Sequence, residues 1–380
     1  MLSAINKSRL GNLYNDVIFK MFRDSQRKPF FKQLKELFLL GRAIKYWPNN
    51  YFKYDGYKKD KSLEDTKLYV TGVLFGDFRK QYLNDSRYAV FADDKFLFHK
   101  LMADAGIPTA KLINVISFNP MKQCANGLNE ERAELILDSI TADSIVIKPV
   151  IDSIQGDGVH VINVCHDEPK KFEVSGVFYN SEELLNKLFT GKQFNRKYLI
   201  EETIQQSTFA AELYPDSVNT VRIDSLLSQT GEVFINSAFL RLGKGGRKVD
   251  NWSGDTGGIG VKINIESGAL SSEGIDYSKN LYSKHPDTCV SFSGLIVPQW
   301  EEVISIVKKA AIQFPQLKSL GWDIALTDNG PLILEVNADY GILSMQTCSQ
   351  ALGANKLFYN ELVSYAKDTP YSKYFAVRSS

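Results

Sequence analysis

The stretch Gly321-Trp322-Asp323-Ile324-Ala325-Leu326-Thr327-Asp328-Asn329-Gly330-Pro331-Leu332-Ile333-Leu334-Glu335-Val336-Asn337 constrains the fold most, because it sets three oxygen-bearing side chains inside otherwise apolar strands. Side chains alternate along a strand, so Glu335 and Asn337 share one face of the second strand and Leu334 and Val336 the other. Asp323, Ala325 and Thr327 share a face of the first. Asp328-Asn329-Gly330 reads as a three-residue loop closed by glycine in the left-handed region. That loop sets Thr327 beside Pro331 and Asp323 directly opposite Glu335. Facing carboxylates in a half-buried sheet repel, and isolated burial of either costs several kcal/mol. A divalent cation held by Asp323, Glu335 and Asn337 resolves the conflict, and oxygen-only ligands favour Mg²⁺ or Mn²⁺ over Zn²⁺. The alternative is a surface hairpin whose acids simply face water.

A chain of 380 residues is long enough for two or three domains with a sizeable core. Cys124, Cys165, Cys289 and Cys348 lack paired spacing, which speaks against a disulfide framework or a zinc site and for reduced thiols. The longest apolar run, Leu37-Phe38-Leu39-Leu40, is too short to span a bilayer, and no signal peptide is evident. A cytoplasmic chain, soluble or peripheral to the inner membrane face, is expected. The net charge of +1 hides an asymmetry: residues 1–61 hold fourteen Lys and Arg against five Asp and Glu, and the remainder carries −8. Ile18, Met21, Phe22, Phe30, Phe31, Leu34, Leu37, Phe38 and Ile44 fall at helical spacing in that basic segment. Such a face is either merely solvated or binds an anionic membrane or polyanion.

Further along, Asp93 or Asp94 can cap a helix that Gly106 and Pro108 end. A strand is expected near Leu112 to Ile116 and a helix at Leu128 to Ser139. Ser144–Val150 and Val159–Val164 form a second hairpin, with Lys148 in an apolar strand beside a loop holding Gly156 and Gly158. A lysine next to a glycine-bearing loop suits phosphate, although a strand lysine can also snorkel to water. Tyr198–Gln206 is an apolar strand running into Glu201 and Glu202, and could line a nucleotide pocket. Arg222 and Arg241 occupy strand positions where an apolar residue would be expected. Between Lys244 and Gly260 lies a loop with six glycines, long enough to be a lid or binding loop. His285 reads as a structural residue.

These parts occur in the order seen in ATP-grasp ligases: Asp-Lys opening a helix that ends in Gly-Ile-Pro, Ile-Val-Ile-Lys-Pro with a glycine loop, Ile-Glu-Glu, Gly-Trp-Asp-Ile and Leu-Glu-Val-Asn. Asn219-Thr220-Val221-Arg222, the glycine-rich loop, His285-Pro286-Asp287-Thr288 and Pro298-Gln299-Trp300 resemble more specifically the sugar-transfer-associated branch of that superfamily, linked to bacterial cell-surface polysaccharide synthesis. The resemblance covers roughly residues 90–350. It implies an α+β ATP-grasp fold, two subdomains gripping ATP, behind a basic helical region that stands where an N-terminal α/β domain is usual. The boundaries expected are 1–90, 91–202 and 203–380. By the same resemblance Lys95 and Lys148 bind ATP phosphates under a loop with Gly156 and Gly158. Glu201 and Glu202 meet adenine and ribose, and the backbone from Glu202 through Thr203 to Ile204 forms the hinge. Arg222 or Arg241 touches the transferred phosphoryl group, and Asp323, Glu335 and Asn337 hold Mg²⁺. Gln206 stands where a histidine is expected.

The implied reaction is carboxylate–amine ligation through an acyl phosphate, with an amino acid and a sugar or uronic acid of a surface polysaccharide as partners and no nucleic acid. Lipid-linked glycan contact through the basic N-terminus is a further expectation. Two alternatives stand beside it: a phosphotransferase of the same fold acting on a sugar or protein, and a nucleotide-binding scaffold without turnover.

Overall fold

The computed structural model describes residues 17, 19–117, 124–125, 133–151, 158–167, 169–188, 197–252, 254 and 257–375. The helices of the described residues include α1 (Phe30–Ile44), α2 (Gly72–Phe78), α3 (Lys95–Asp104), α4 (Trp300–Ala311), α5 (Ile342–Cys348) and α6 (Lys356–Ala366). Fourteen strands among the described residues form two seven-stranded sheets.

The first sheet contains β1 (Leu112–Ser117), β2 (Cys124–Ala125), β3 (Ser144–Pro149), β4 (His160–Cys165), β5 (Lys171–Val174), β6 (Val177–Tyr179) and β7 (Lys197–Glu202), in the order β2-β1-β7-β3-β4-β5-β6. Residues in β3 alternate in burial, so Ile145 and Ile147 pack with the helices Ala133–Ser139 and Ser181–Leu188 while Val146 and Lys148 take the opposite face. That opposite face is where the first sheet meets the rest of the chain.

The second sheet contains β8 (Thr220–Leu227), β9 (Val233–Leu242), β10 (Ile259–Ile263), β11 (Leu270–Ile275), β12 (Leu281–Tyr282), β13 (Ser319–Thr327) and β14 (Gly330–Asn337), ordered β12-β11-β10-β9-β8-β13-β14. Helix α4 covers one face through Val303, Val307 and Ala310. On the other face lie Phe75 and Phe78 of α2, Met345 of α5 and Phe358 and Leu362 of α6. Covered on both sides, β13 is buried along nearly its whole length, which makes every polar side chain in it costly unless partnered.

The hairpin of β13 and β14 differs from the sequence expectation at its tip. Thr327 pairs with Gly330, so the loop is the two residues Asp328 and Asn329, and Gly330 opens β14 at φ 119°. A bulge at Leu334 then absorbs the one-residue offset, and Asp323 still lies opposite Glu335. The two errors cancel because a bulge inserts one residue into one strand.

The N-terminal region is helical as expected, but α1 turns Gln33, Glu36, Leu40 and Ile44 inward while Phe31 and Phe38 stay 81% and 64% exposed. Polar Glu36 is tolerated inside because Lys28 (2.7 Å) and the Tyr51 hydroxyl (2.7 Å) satisfy it. Residues 72–84, placed by sequence within the N-terminal region, instead join the core beneath the second sheet. Asn84 donates to the carbonyls of Ser319 and Ala338. The Leu68–Phe75 run, unassigned from sequence, enters α2 with Thr71 as its N-cap.

Candidate active site

Helix α3 brings the two sheets together. Asp94 caps it, accepting from the N–H groups of Phe96 and Leu97, and this fixes Lys95 at the first turn. The Lys95 N–H donates to Val150 O at 2.9 Å, tying the helix start to the end of β3. Phe98 and Met102 insert into the core of the second sheet, which leaves Lys95 and His99, four residues apart and so on one helix face, to meet the first.

On that face Lys148 of β3 pairs with Glu201 of β7 at 2.7 Å. The two are diagonal neighbours, because Val146 lies opposite Glu201 and Lys148 opposite Leu199. His99 donates from Nε2 to the other Glu201 oxygen at 2.6 Å, and its Nδ1 lies 3.1 Å from the Thr109 hydroxyl. Burial pushes the Glu201 carboxyl up, but Lys148 and His99 outweigh it and hold the group below its ordinary range. Sequence reading expected Glu201 to meet adenine or ribose. In this structure Glu201 is 3% exposed, and its two carboxylate oxygens are engaged by Lys148 and His99. Glu202 pairs with Lys111 at 2.7 Å. The N–H groups of Glu202 and Thr203 donate to the carbonyls of Lys111 and Ser144, so these two donors are engaged within the fold. Gln206 binds the Asn219 amide and the Tyr214 carbonyl, a structural role. Gly158 has φ 73° and packs on Pro149, whereas Gly156 lies outside the described residues.

The second half of the site sits on β8, β9, β13 and β14. Asp323 is buried, and its Oδ1 accepts from Arg222 Nη1 at 2.7 Å and lies 3.2 Å from Arg241 Nη2. Arg241 also lies 3.3 Å from Asp250 and donates to the Thr220 hydroxyl. Burial opposes the charge on Asp323, yet the two guanidinium groups hold its carboxyl far below the usual range. Glu335 moves the other way: burial, then the facing Asp323 charge, raise it, and Lys95 and Arg222 only partly compensate. The two facing carboxyls therefore titrate as a pair, and the rise falls on Glu335. Asn337 Nδ2 lies 3.3 Å from Glu335 Oε1.

Arg222 and Arg241 thus supply much of the charge compensation that sequence reasoning assigned to a cation. A cation still fits. Among the described residues no cluster of three or more His, Cys, Asp and Glu gathers, so the donor set is two carboxylates and the Asn337 amide. It is all oxygen, as Mg²⁺ prefers, and the rise that the facing Asp323 charge imposes on Glu335 marks a place where positive charge is favoured.

Lys95 joins the halves. Burial pushes its ammonium down, Glu335 draws it up, Lys148 pushes it down, and Glu201 draws it up again. One side chain therefore feels groups from both sheets. Lys95 and Lys148, 53 positions apart in sequence, lie close enough for the Lys148 charge to be felt at Lys95.

Three residues here had no sequence signal strong enough to find them. His99 could have been noticed as one turn from Lys95. Arg79, buried, donates to Tyr340 O at 2.6 Å, pairs with Asp339 and stacks on the Tyr340 ring with its guanidinium carbon 4.6 Å from the centroid. Tyr340 in turn lies 5.9 Å from the Arg222 guanidinium carbon. A Cβ at Gly321 would come within 2.7 Å of Arg222 Nη2 and 2.9 Å of the Tyr340 ring, so glycine there makes room for this stack. His285 is fully buried, its Nε2 2.8 Å from Gly243 O, which fits the structural role expected for it.

The model of the sugar-transfer associated ATP-grasp family matches residues 76–357, most of the chain and all of the site just described. The chain belongs to that family. A comparison with curated proteins returned no match. Solved structures similar to this ATP-grasp chain include an ADP complex of N5-carboxyaminoimidazole ribonucleotide synthetase (11% identity, TM-score 0.38, 66% of this chain and 45% of that one). D-alanine–D-alanine ligase from Helicobacter pylori is another (16% identity, TM-score 0.44, 81% of this chain and 69% of that one). A third is phosphoribosylamine–glycine ligase from Thermotoga maritima (14% identity, TM-score 0.44, 76% of this chain and 57% of that one). The chain thus spans about half the length of two of these three. Family and fold agree with the sequence reading, and the family match begins ahead of residue 90, taking in the end of α2 and Arg79.

Proposed function

We propose that this ATP-grasp protein is an ATP- and Mg²⁺-dependent carboxylate–amine ligase that joins an amino acid to a sugar or uronic acid of a surface polysaccharide through an acyl phosphate. The observation that carries the reading is the convergence of Lys95, Arg222 and Arg241, from one helix and two strands, on buried Asp323 and the facing Glu335, with Lys148, held by Glu201, near enough for its charge to be felt at Lys95. Phosphoryl transfer needs positioning and cations more than acids and bases, and that is what these residues offer.

Lys95 and Lys148 hold the phosphates, with Gly156 and Gly158 in the loop above them. Glu201, through Lys148, positions rather than binds. With the Glu202 and Thr203 N–H groups engaged, Ile204 supplies the hinge N–H for adenine. Mg²⁺, when held by Asp323, Glu335 and Asn337, supplies electrophilic charge at the transferring phosphoryl group. Arg222 or Arg241 steadies the equatorial oxygens. An oxygen of the substrate carboxylate attacks the γ-phosphorus, the bond to the bridging oxygen breaks, and ADP leaves with the electron pair. The amine then forms the C–N bond, phosphate leaves with the C–O pair, and the amine proton passes to phosphate or water.

ADP release screened against amino acids together with uronic-acid sugars tests the reading. Equal amounts of ADP and free phosphate are expected. Phosphate retained on the acceptor means a kinase, and no nucleotide turnover with any pair means a scaffold. A cytoplasmic placement accompanies this reading, with the basic outer face of α1 resting on anionic lipid. No helix among the described residues is long and apolar enough to cross a membrane.

A further inference from the structure

A cavity of about 1400 Å³ lies between the N-terminal helices and the body, away from the candidate active site. It exceeds the roughly 300–1,000 Å³ of a typical small-molecule pocket. Six lysine and arginine side chains line it against one carboxylate, Asp55, among the described residues. Asp55 is already engaged, 2.8 Å from Lys279 and 3.6 Å from Lys58. Arg42, Lys45 and Lys53 have no carboxylate in ion-pair range among the described residues and are exposed. Burial pushes Lys279 below the ordinary lysine range; Asp55 draws it up and the neighbouring Lys20 and Lys58 push it down again. The cavity is electropositive.

Its walls are aromatic as well. Trp47, 77% exposed, stands on the N-terminal side, and Trp252 and Tyr277, packed edge to face at 5.4 Å, stand on the body side. Lys45, Asp55 and Lys279 all line the cavity and all adopt left-handed backbone at φ 50°, 61° and 66°. Each such non-glycine residue costs of order 1–3 kcal/mol and persists where the surroundings require it. Trp252 lies two residues from Asp250, which pairs with Arg241 and through it with Asp323. One loop therefore contributes to both the cavity wall and the candidate active site.

We propose that this cavity binds an anionic oligosaccharide: the aromatic faces stack on sugar rings while Arg42, Lys45 and Lys53 neutralise their acid groups. Its role as the acceptor subsite rests on the ligase reading, but its binding does not. A single nucleic-acid strand shares the charge and stacking chemistry; aromatic walls on two opposite sides, Trp47 on one and Trp252 with Tyr277 on the other, and a family associated with sugar transfer favour the saccharide.

The test is a titration of the full chain at low salt followed by tryptophan fluorescence, since Trp47 and Trp252 line the cavity while Trp300 and Trp322 are core. The probes are tetragalacturonate, cellotetraose and a thymidylate oligomer. Tetragalacturonate should bind, weaken with salt, and bind about tenfold more weakly to a protein carrying Arg42→Gln, Lys45→Gln and Lys53→Gln, three exposed pairings of modest individual strength. Nucleotide affinity of that protein should be unchanged, and Trp47→Phe should diminish the optical signal. The proposal is overturned if tetragalacturonate fails to bind, if cellotetraose or the thymidylate binds as tightly, or if the triple substitution has no effect. Saccharide binding without ATP turnover would leave the cavity assigned and remove the ligase reading instead.

Discussion

Glu335 is the residue at which charge, burial and function conflict most directly. A carboxyl whose folded pKa is raised holds a proton that the unfolded chain has already given up. Its contribution therefore favours the fold below that pKa and turns against it as pH rises through it. Glu335→Gln keeps the shape and removes the ionisation. In Mg²⁺-free buffer its melting temperature should match or exceed that of the wild type above the raised pKa, while turnover is lost. A melting temperature that falls at every pH would show that the ionised carboxylate is stabilising and that the Glu335 pKa is not raised in the fold. Loading with Mg²⁺ should release a proton in the same pH range, measurable by calorimetry in buffers of different ionisation enthalpy. Unchanged turnover of Asp323→Asn or Glu335→Gln at saturating Mg²⁺ would end the metal assignment. Lys148→Ala should weaken ATP binding for two reasons, the missing cation and a Glu201 carboxylate left beside the phosphates with His99 alone. A nucleotide titration that showed no loss would remove Lys148 from the phosphate site.

At the scale of elements, the loop from Lys244 to Gly260 divides into parts with different freedom. Asp250 is buried and accepts from the Thr220 N–H, Trp252 Nε1 donates to Ile275 O at 2.8 Å, and Gly258 N donates to Asn251 O at 2.8 Å. A Cβ at Gly258 would lie 2.1 Å from Leu242 O, so this end of the loop returns tightly against β9. Among the described residues, the arm from Lys244 to Val249 has Gly245 and Gly246 at positive φ and is tied by side chains alone, Gly245 N–H to Asp287, the Tyr214 hydroxyl to the Arg247 carbonyl and Lys248 to Asp216, so it is the part expected to close over an acceptor. Its amides should exchange quickly in the free protein and slow when nucleotide and acceptor are both bound. Slow exchange there without ligand would make the whole loop architecture. The Arg79–Tyr340–Arg222 stack ties α2 to the strand arginines in a similar way. Gly321→Ala should disturb it and lower activity more than it lowers the melting temperature. Equal losses of both would mean that the stack is only structural.

For the whole molecule, the +9 charge of residues 1–61 acts both inward and outward. Lys28 is consumed by Glu36, and Asp55 crosses to Lys279 of the body at 2.8 Å. Lys32, Lys35 and Arg42 remain exposed on α1 beside exposed Phe31, Leu34, Phe38 and Leu39. Each basic residue near an anionic surface contributes about 1 kcal/mol, screened over a Debye length of roughly 8 Å at physiological salt. Co-sedimentation with anionic vesicles at low salt, lost at high salt and in Lys32→Glu, Lys35→Glu, is the expected outcome. Equal, negligible sedimentation with anionic and neutral vesicles would show that the face is only solvated.

Local pattern was enough to mark the hairpin, the capped helix at Lys95, the Lys148 strand and the order of the parts, because alternation, capping and glycine placement act over a few residues. Opposition of Asp323 and Glu335 was legible despite a misplaced turn, since the bulge at Leu334 restored the register. What the sequence could not determine was which partner each buried charge finds. Glu201 faces Lys148 and His99, and Asp323 faces Arg222 and Arg241, because sheet order brings β3 beside β7 and sets β8 between β9 and β13. Those neighbours are 53 to 102 positions apart for Glu201 and 82 to 101 for Asp323. Separation of that order carries no periodic signal; only the packed sheets and the burial they impose decide which charges must meet.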